Sequence, residues 1–76
     1  MKIKAVDLFC GAGGLTHGLK QSGIDVVAGY DIEETCRFAF EFNNNAVFIN
    51  QDITVLKGEQ ILSHFKDSDV TILAGC

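Results

Sequence analysis

Short apolar runs alternate along this chain with stretches of helical periodicity, four of the first and three of the second. Residues 3–9, with Ile3, Ala5, Val6, Leu8 and Phe9, read as a strand. Residues 13–21 read as a helix with Leu15 and Leu19 on one face, and Ser22-Gly23 supplies its expected terminator. Residues 25–30 form a second strand. Asp31 and Glu34 have the spacing of a capping box, which predicts a second helix from there to about Phe42, stopped by Asn43-Asn44-Asn45. Residues 46–50 read as a short third strand and 58–65 as a third helix, with Ile61, Leu62 and Phe65 at helical spacing. Asp67-Ser68 then turns the chain into a last strand, 69–74.

Strands alternating with helices at this spacing predict an α/β fold whose parallel strands are joined by right-handed crossovers. The expectation is a partial Rossmann-like parallel sheet, β-α-β-α-β-α-β, in strand order 3-2-1-4. No linker, repeat or low-complexity stretch divides residues 1–76. The second helix puts Cys36, Ala39 and Phe40 on one stripe and Phe38 and Phe42 on roughly the opposite side. One sheet face cannot cover both, so these phenylalanines are either partly exposed or made to pack on further protein.

The charge balance narrows the function. The net charge is −4, and Lys2, Lys4, Lys20, Arg37, Lys57 and Lys66 are dispersed rather than clustered. A segment that grips nucleic acid by itself would carry a basic patch. Three cysteines without a C-x-x-C pair point to a reduced, cytoplasmic setting, and His17 and His64 stand apart from any metal-ligand spacing. No apolar stretch reaches the ~20 residues that cross a bilayer, and the N-terminus lacks the apolar core of a signal peptide.

The chemistry lies at the strand ends. A strand that delivers Gly11, Gly13 and Gly14 to a helix start brings bare backbone N–H groups close to a ligand. Gly11-Ala12-Gly13 matches the first half of the dinucleotide fingerprint, but Thr16 stands where that fingerprint has Gly or Ala. Asp31 lies 31 − 11 = 20 residues beyond Gly11, where an acid binds ribose hydroxyls or caps a helix. Asp52, after the third strand, can accept from a purine amino group or simply hold a turn. Parallel strands ending on one sheet edge would gather all three elements around one crevice.

The segments DLFCGAGGLTHGL, GYDIEE, NQDIT and TILAGC, in that order, resemble the N-terminal part of the cytosine-C5 DNA methyltransferases. The resemblance implies an S-adenosyl-L-methionine site. Its glycine loop (Cys10, Gly11, Ala12, Gly13, Gly14, Leu15) would hold the methionine end and Phe9 would pack on adenine. Asp31 would bind the ribose, Asp52 the adenine amino group, and Ile32 and Ile53 would form apolar walls. The family often has a large aromatic at the Ile32 position, so less stacking surface is expected here.

In the whole enzyme, the resemblance implies, a cysteine thiolate adds to C6 of a flipped-out cytosine, C5 takes the methyl group, and a base removes the C5 proton. The family's nucleophile lies in a Pro-Cys-Gln motif past the fourth strand. This chain has no proline, and Cys76 directly follows Gly75, so Cys76 is not read as that nucleophile. Cys10 and Cys36 read as small buried apolar residues. The 76-residue piece is therefore expected to be inactive alone, with DNA held by regions downstream. It is also expected to self-associate through Val70, Ile72 and Leu73 on an open strand edge or through Phe38 and Phe42. Three alternatives stay open: an RNA cytosine-C5 methyltransferase segment, a nicotinamide-binding half of an oxidoreductase, and a non-catalytic assembly module. Thr16 and the Asp-Leu-Phe-Cys lead-in argue against the nicotinamide reading.

Overall fold

In the computed structural model, which describes residues 1–75, four parallel strands form one sheet in the order β3-β2-β1-β4. The strands are β1 (Ile3–Leu8), β2 (Asp25–Asp31), β3 (Val47–Asn50) and β4 (Val70–Gly75). The connecting helices are α1 (Gly14–Gln21), α2 (Arg37–Asn44) and α3 (Gly58–Leu62). Single 3₁₀ turns precede α2 (Glu34–Cys36), follow β3 (Ile53–Val55) and continue α3 (Ser63–Phe65). The expected topology and strand order are the observed ones. Cys76, with the reading made of it, lies outside the described residues.

Each sheet face is buried differently. On one, Val6, Ala28 and Tyr30 are buried beneath Ile53, Leu56 and Phe65, with Leu8 and Ile49 alongside. On the other, Phe40 of α2 packs with Cys10, Ala46 and Phe48, and the Phe40 and Phe48 rings meet edge-on at 5.9 Å. Burying each such aromatic contributes about 1.5–3 kcal/mol. Phe40 comes so close to the sheet that a Cβ on Gly29 would meet its ring, and would lie 2.8 Å from the Cys10 sulfur. Arg37 ties α2 to β3 by donating to the Phe48 carbonyl at 2.9 Å while its guanidinium lies over the Phe48 ring.

The β1–β2 ladder carries one irregularity. Ala5 pairs with Val26 and Val6 with Ala28, so Val27 is an extra residue, a bulge in β2. Beyond it the register runs Leu8 to Tyr30, and on the next strand Asp31 to Asn50.

Several local expectations need correction. β1 ends at Leu8, because Phe9 turns into the left-handed region (φ 57°) and leaves the ladder. The capping box does not form: Asp31 remains in β2, Glu33 begins the 3₁₀ turn without a side-chain cap, and Glu34 instead pairs with Arg37. α2 runs past Phe42 to Asn44 and ends where Asn45 turns left-handed. The Leu15–Leu19 face is not what buries α1; its one buried residue is Thr16, and Leu15 is exposed. Leu62, one of the apolar residues at helical spacing in α3, is 68% exposed. Ser22-Gly23 does terminate α1, with Gly23 N–H on the Lys20 carbonyl and Ile24 N–H on that of Leu19. Phe38 and Phe42 do point away from the sheet, stacked on each other at 5.6 Å and more than three-quarters exposed.

Beneath the sheet a directed hydrogen-bond chain fastens α3. Gln51 and Gln60 exchange amide bonds (2.8 and 3.2 Å), Gln60 donates to the Tyr30 hydroxyl at 3.2 Å, and that hydroxyl lies 2.7 Å from His64 Nε2. With Nε2 unprotonated, the hydroxyl donates to it and every partner is satisfied. Burial pushes the His64 pKa below its ordinary value of 6.5. The unfolded chain then binds the proton more readily than the folded one, so this residue's contribution is present above pH 6.5 and is lost as pH falls below it. Urea unfolding between about pH 7.5 and about pH 5 is expected to show stability falling with acidity, and His64→Gln to flatten that slope. A wild-type slope equal to that of the variant would remove His64 from the account.

Candidate cofactor site

The carboxyl ends of β1, β2 and β3 lie along one edge of the sheet, and the expected site residues follow from those ends in the chain. After Leu8 the chain turns sharply. Phe9 is left-handed with its ring 58% exposed, a conformation that is costly for a bulky residue. Cys10 N–H donates to the Tyr30 carbonyl at 3.0 Å, Gly13 N–H to the Cys10 carbonyl at 2.9 Å, and α1 then begins. Gly11 (φ 51°) and Gly13 (φ 96°) hold conformations that disfavour any side chain.

The glycines differ in what surrounds them. Gly13 is backed by Asn44 and Phe40 of α2, which leave no room for a Cβ, whereas a Cβ on Gly11 or Gly14 would meet nothing. The turn is thus packed from behind and open in front, a cradle for a ligand that approaches backbone closely. Beside it Leu8, Phe9, Leu73, Ala74 and Gly75 line an apolar hollow of about 330 Å³.

Asp31 joins the glycine turn to the next strand. Its Oδ2 accepts from Gly11 N–H and its Oδ1 from Glu33 N–H, both at 2.8 Å. Asp52 lies on the neighbouring strand end, where Oδ1 accepts from the backbone N–H and hydroxyl of Thr54 at 2.9 Å. Those bonds hold the exposed Asp52 carboxyl below the usual carboxylate range, so it is ionised at neutral pH. Its turn role is therefore real, and Oδ1 alone takes part in it. Ile32 is 69% exposed beside Asp31. Ile53 is half-buried and packs against the cluster that holds Tyr30. Ala12 and Leu15 are exposed on the turn and on the first helical residues, while Cys10 is buried beneath. Burial, with Asp7 and Asp31 nearby, pushes the Cys10 thiol up to about 12, so it stays protonated.

Sequence reasoning passed over Asp7. This fully buried carboxyl group in β1 accepts from the Thr16 hydroxyl at 2.6 Å through Oδ2, and its Oδ1 has no partner among the described residues. Gly13 has no side chain with which to cap α1, and the Asp7 carboxyl engages Thr16 of the first turn from beneath instead. Burial raises the Asp7 pKa and outweighs the Thr16 hydrogen bonds that lower it. A charged residue inside an apolar strand run was the available signal. Asn44, also passed over, donates to the Phe40 carbonyl at 3.1 Å behind Gly13.

The sequence model of the C-5 cytosine-specific DNA methylases matches residues 3–76. The chain belongs to that family. Among curated relatives, the Type II methylase M.HgiDII of Herpetosiphon aurantiacus is 42% identical over 71 residues, 93% of this chain and 20% of that protein. M.DdeI of Desulfomicrobium norvegicum is 32% identical over 68 residues, 88% of this chain and 16% of its own length. Among solved structures, a prophage-encoded E. coli protein described as a DNA modification methyltransferase superposes with a TM-score of 0.84 at 26% identity, over 97% of this chain and 22% of that one. Spodoptera frugiperda DNMT2 shares the fold, with a TM-score of 0.75 over 95% of this chain and 22% of that one. The chain spans about one fifth of the length of these relatives.

Within this methylase-family chain no cluster of metal-binding side chains occurs among the described residues, and no helix there is long and apolar enough to cross a membrane. The buried Asp7–Thr16 bond gives a direct test of what supports the turn. Thr16→Val keeps the shape, removes the only donated hydroxyl and is expected to destabilise the fold by about 1.5–3 kcal/mol, read from urea unfolding. An unchanged midpoint would show that the turn does not rely on this bond.

Proposed function

We propose that this chain is the S-adenosyl-L-methionine-binding segment of a DNA cytosine-C5 methyltransferase of the restriction–modification type. The observation that carries the reading is the Gly11 N–H bond to Asp31, which fixes an open glycine turn against an acid one strand away from Asp52. Asp31 then accepts from ribose hydroxyls, Asp52 from the adenine amino group, and the exposed Phe9 ring offers the adenine an apolar face. The glycine turn takes the methionine end. Bound there, the cofactor supplies the methyl group; the residues of this chain bind and orient it. DNA as substrate is supported by the family and by relatives named as Type II methylases. The dispersed lysines assign the gripping of DNA to other regions.

Calorimetry is expected to detect S-adenosylhomocysteine binding and no heat with NADH. Asp52→Ala is expected to weaken the former by roughly tenfold, the scale of a hydrogen bond to a charged group, while the thermal midpoint stays within a few degrees, since Asp52 lies outside the core. Heat with NADH alone would overturn the reading.

Self-association of the isolated chain has its surfaces in the stacked Phe38–Phe42 pair and in β4, an edge strand that leaves Val70 and Leu73 exposed. Light scattering is expected to show a mass above the monomer at high concentration, and a monomeric mass throughout would refute it.

A further inference from the structure

We infer that Asn50 is a positioning residue for the ribose-binding acid, a role that rests on the cofactor reading above. Asn50 is the last residue of β3, and its register partner on β2 is Asp31. Its side-chain amide donates to two successive carbonyls of the neighbouring strand end, that of Ile32 at 2.8 Å and that of Asp31 at 3.2 Å. The next residue adds a third bond, Gln51 N–H to the same Asp31 carbonyl at 3.2 Å. The peptide that carries Asp31 and Ile32 is therefore held from β3, the strand that leads directly to Asp52.

The geometry explains why such a clamp is needed. β2 stops pairing at Asp31, the α2 region starts without a side-chain cap at Glu33, and Ile32 between them is exposed. Apart from the Gln51 bond, the Asp31 carboxylate orders this corner, through Glu33 N–H and Gly11 N–H. A ligand hydroxyl competes for that same carboxylate. Asn50 lets the corner keep its shape through backbone carbonyls, so that the Asp31 side chain can turn part of its accepting capacity to a sugar. A side-chain amide is required because its two N–H groups can serve two carbonyls, which neither a hydroxyl nor a carboxylate can do.

The test is a thermodynamic cycle on the whole chain, with S-adenosylhomocysteine and its 2′-deoxy analogue as probes, by calorimetry with wild type, Asn50→Ala and Asn50→Asp. Both variants are expected to bind S-adenosylhomocysteine about fivefold more weakly, the scale of a net neutral hydrogen bond, yet to bind the deoxy analogue almost as wild type does. Equal weakening for both ligands, or none for either, overturns the inference while leaving the cofactor reading intact. Wild type that binds neither probe overturns that reading and the inference with it. Amide exchange at Gly11 and Glu33 guards against a variant that fails to fold: protection lost across the whole sheet disqualifies that variant, and the other then decides.

Discussion

Two backbone N–H groups from different loops meet on one carboxylate, and the rim of this molecule depends on that meeting. Gly11 belongs to the turn after β1 and Glu33 to the turn after β2, and Asp31 accepts from both. Each bond alone is a modest contribution. Together they convert two independent loops into one surface, because neither turn can shift without breaking its share of the same acceptor. The glycine turn also needs to be held from behind, and Phe40 and Asn44 do this from α2. The open front over Gly11 and Gly14 is thus a consequence of crowding on the opposite side.

Support for the rim is polar where the interior of so small a sheet is otherwise apolar. Asp7 sits fully buried with one oxygen unpaired, and the oxygen next to it is bound to Thr16. Burying a carboxylate is costly unless it is well partnered, and the partial satisfaction here marks a place where stability is given up for shape at the start of α1. On the far face the Tyr30–Gln60–Gln51 chain links the residues that immediately precede the two acids of the rim. The strand-end rim is consequently braced from both faces of the sheet.

The apolar runs were enough to read the sheet, because parallel strands buried on both faces declare themselves by apolar content. The expected strand order is the observed one. The rim positions of Asp31 and Asp52 were legible for the same reason: each closes an apolar run. Side-chain partners were not legible. Asp31 with Glu34 has the spacing of a cap, yet a long-range amide from Gly11 and strand pairing won over that local signal. Ile53 follows Asp52 in the rim motif, and that it also packs, half-buried, against the apolar cluster beneath the sheet was not legible either. Thr16 took the buried place expected of Leu15, because Asp7 needed a donor more than α1 needed another methyl group.

The surplus residue Val27 has a consequence for how β2 tolerates change in length. Val26 and Ala28 are already opposite consecutive residues of β1, so the ladder closes across Val27 as though it were not there. A deletion at this one place would leave Asp25 at the foot of the strand and Tyr30 opposite Leu8 where they are now. Elsewhere in β2 the loss of a single residue would reverse which side chains look up and which look down, and Asp31 would no longer meet Gly11.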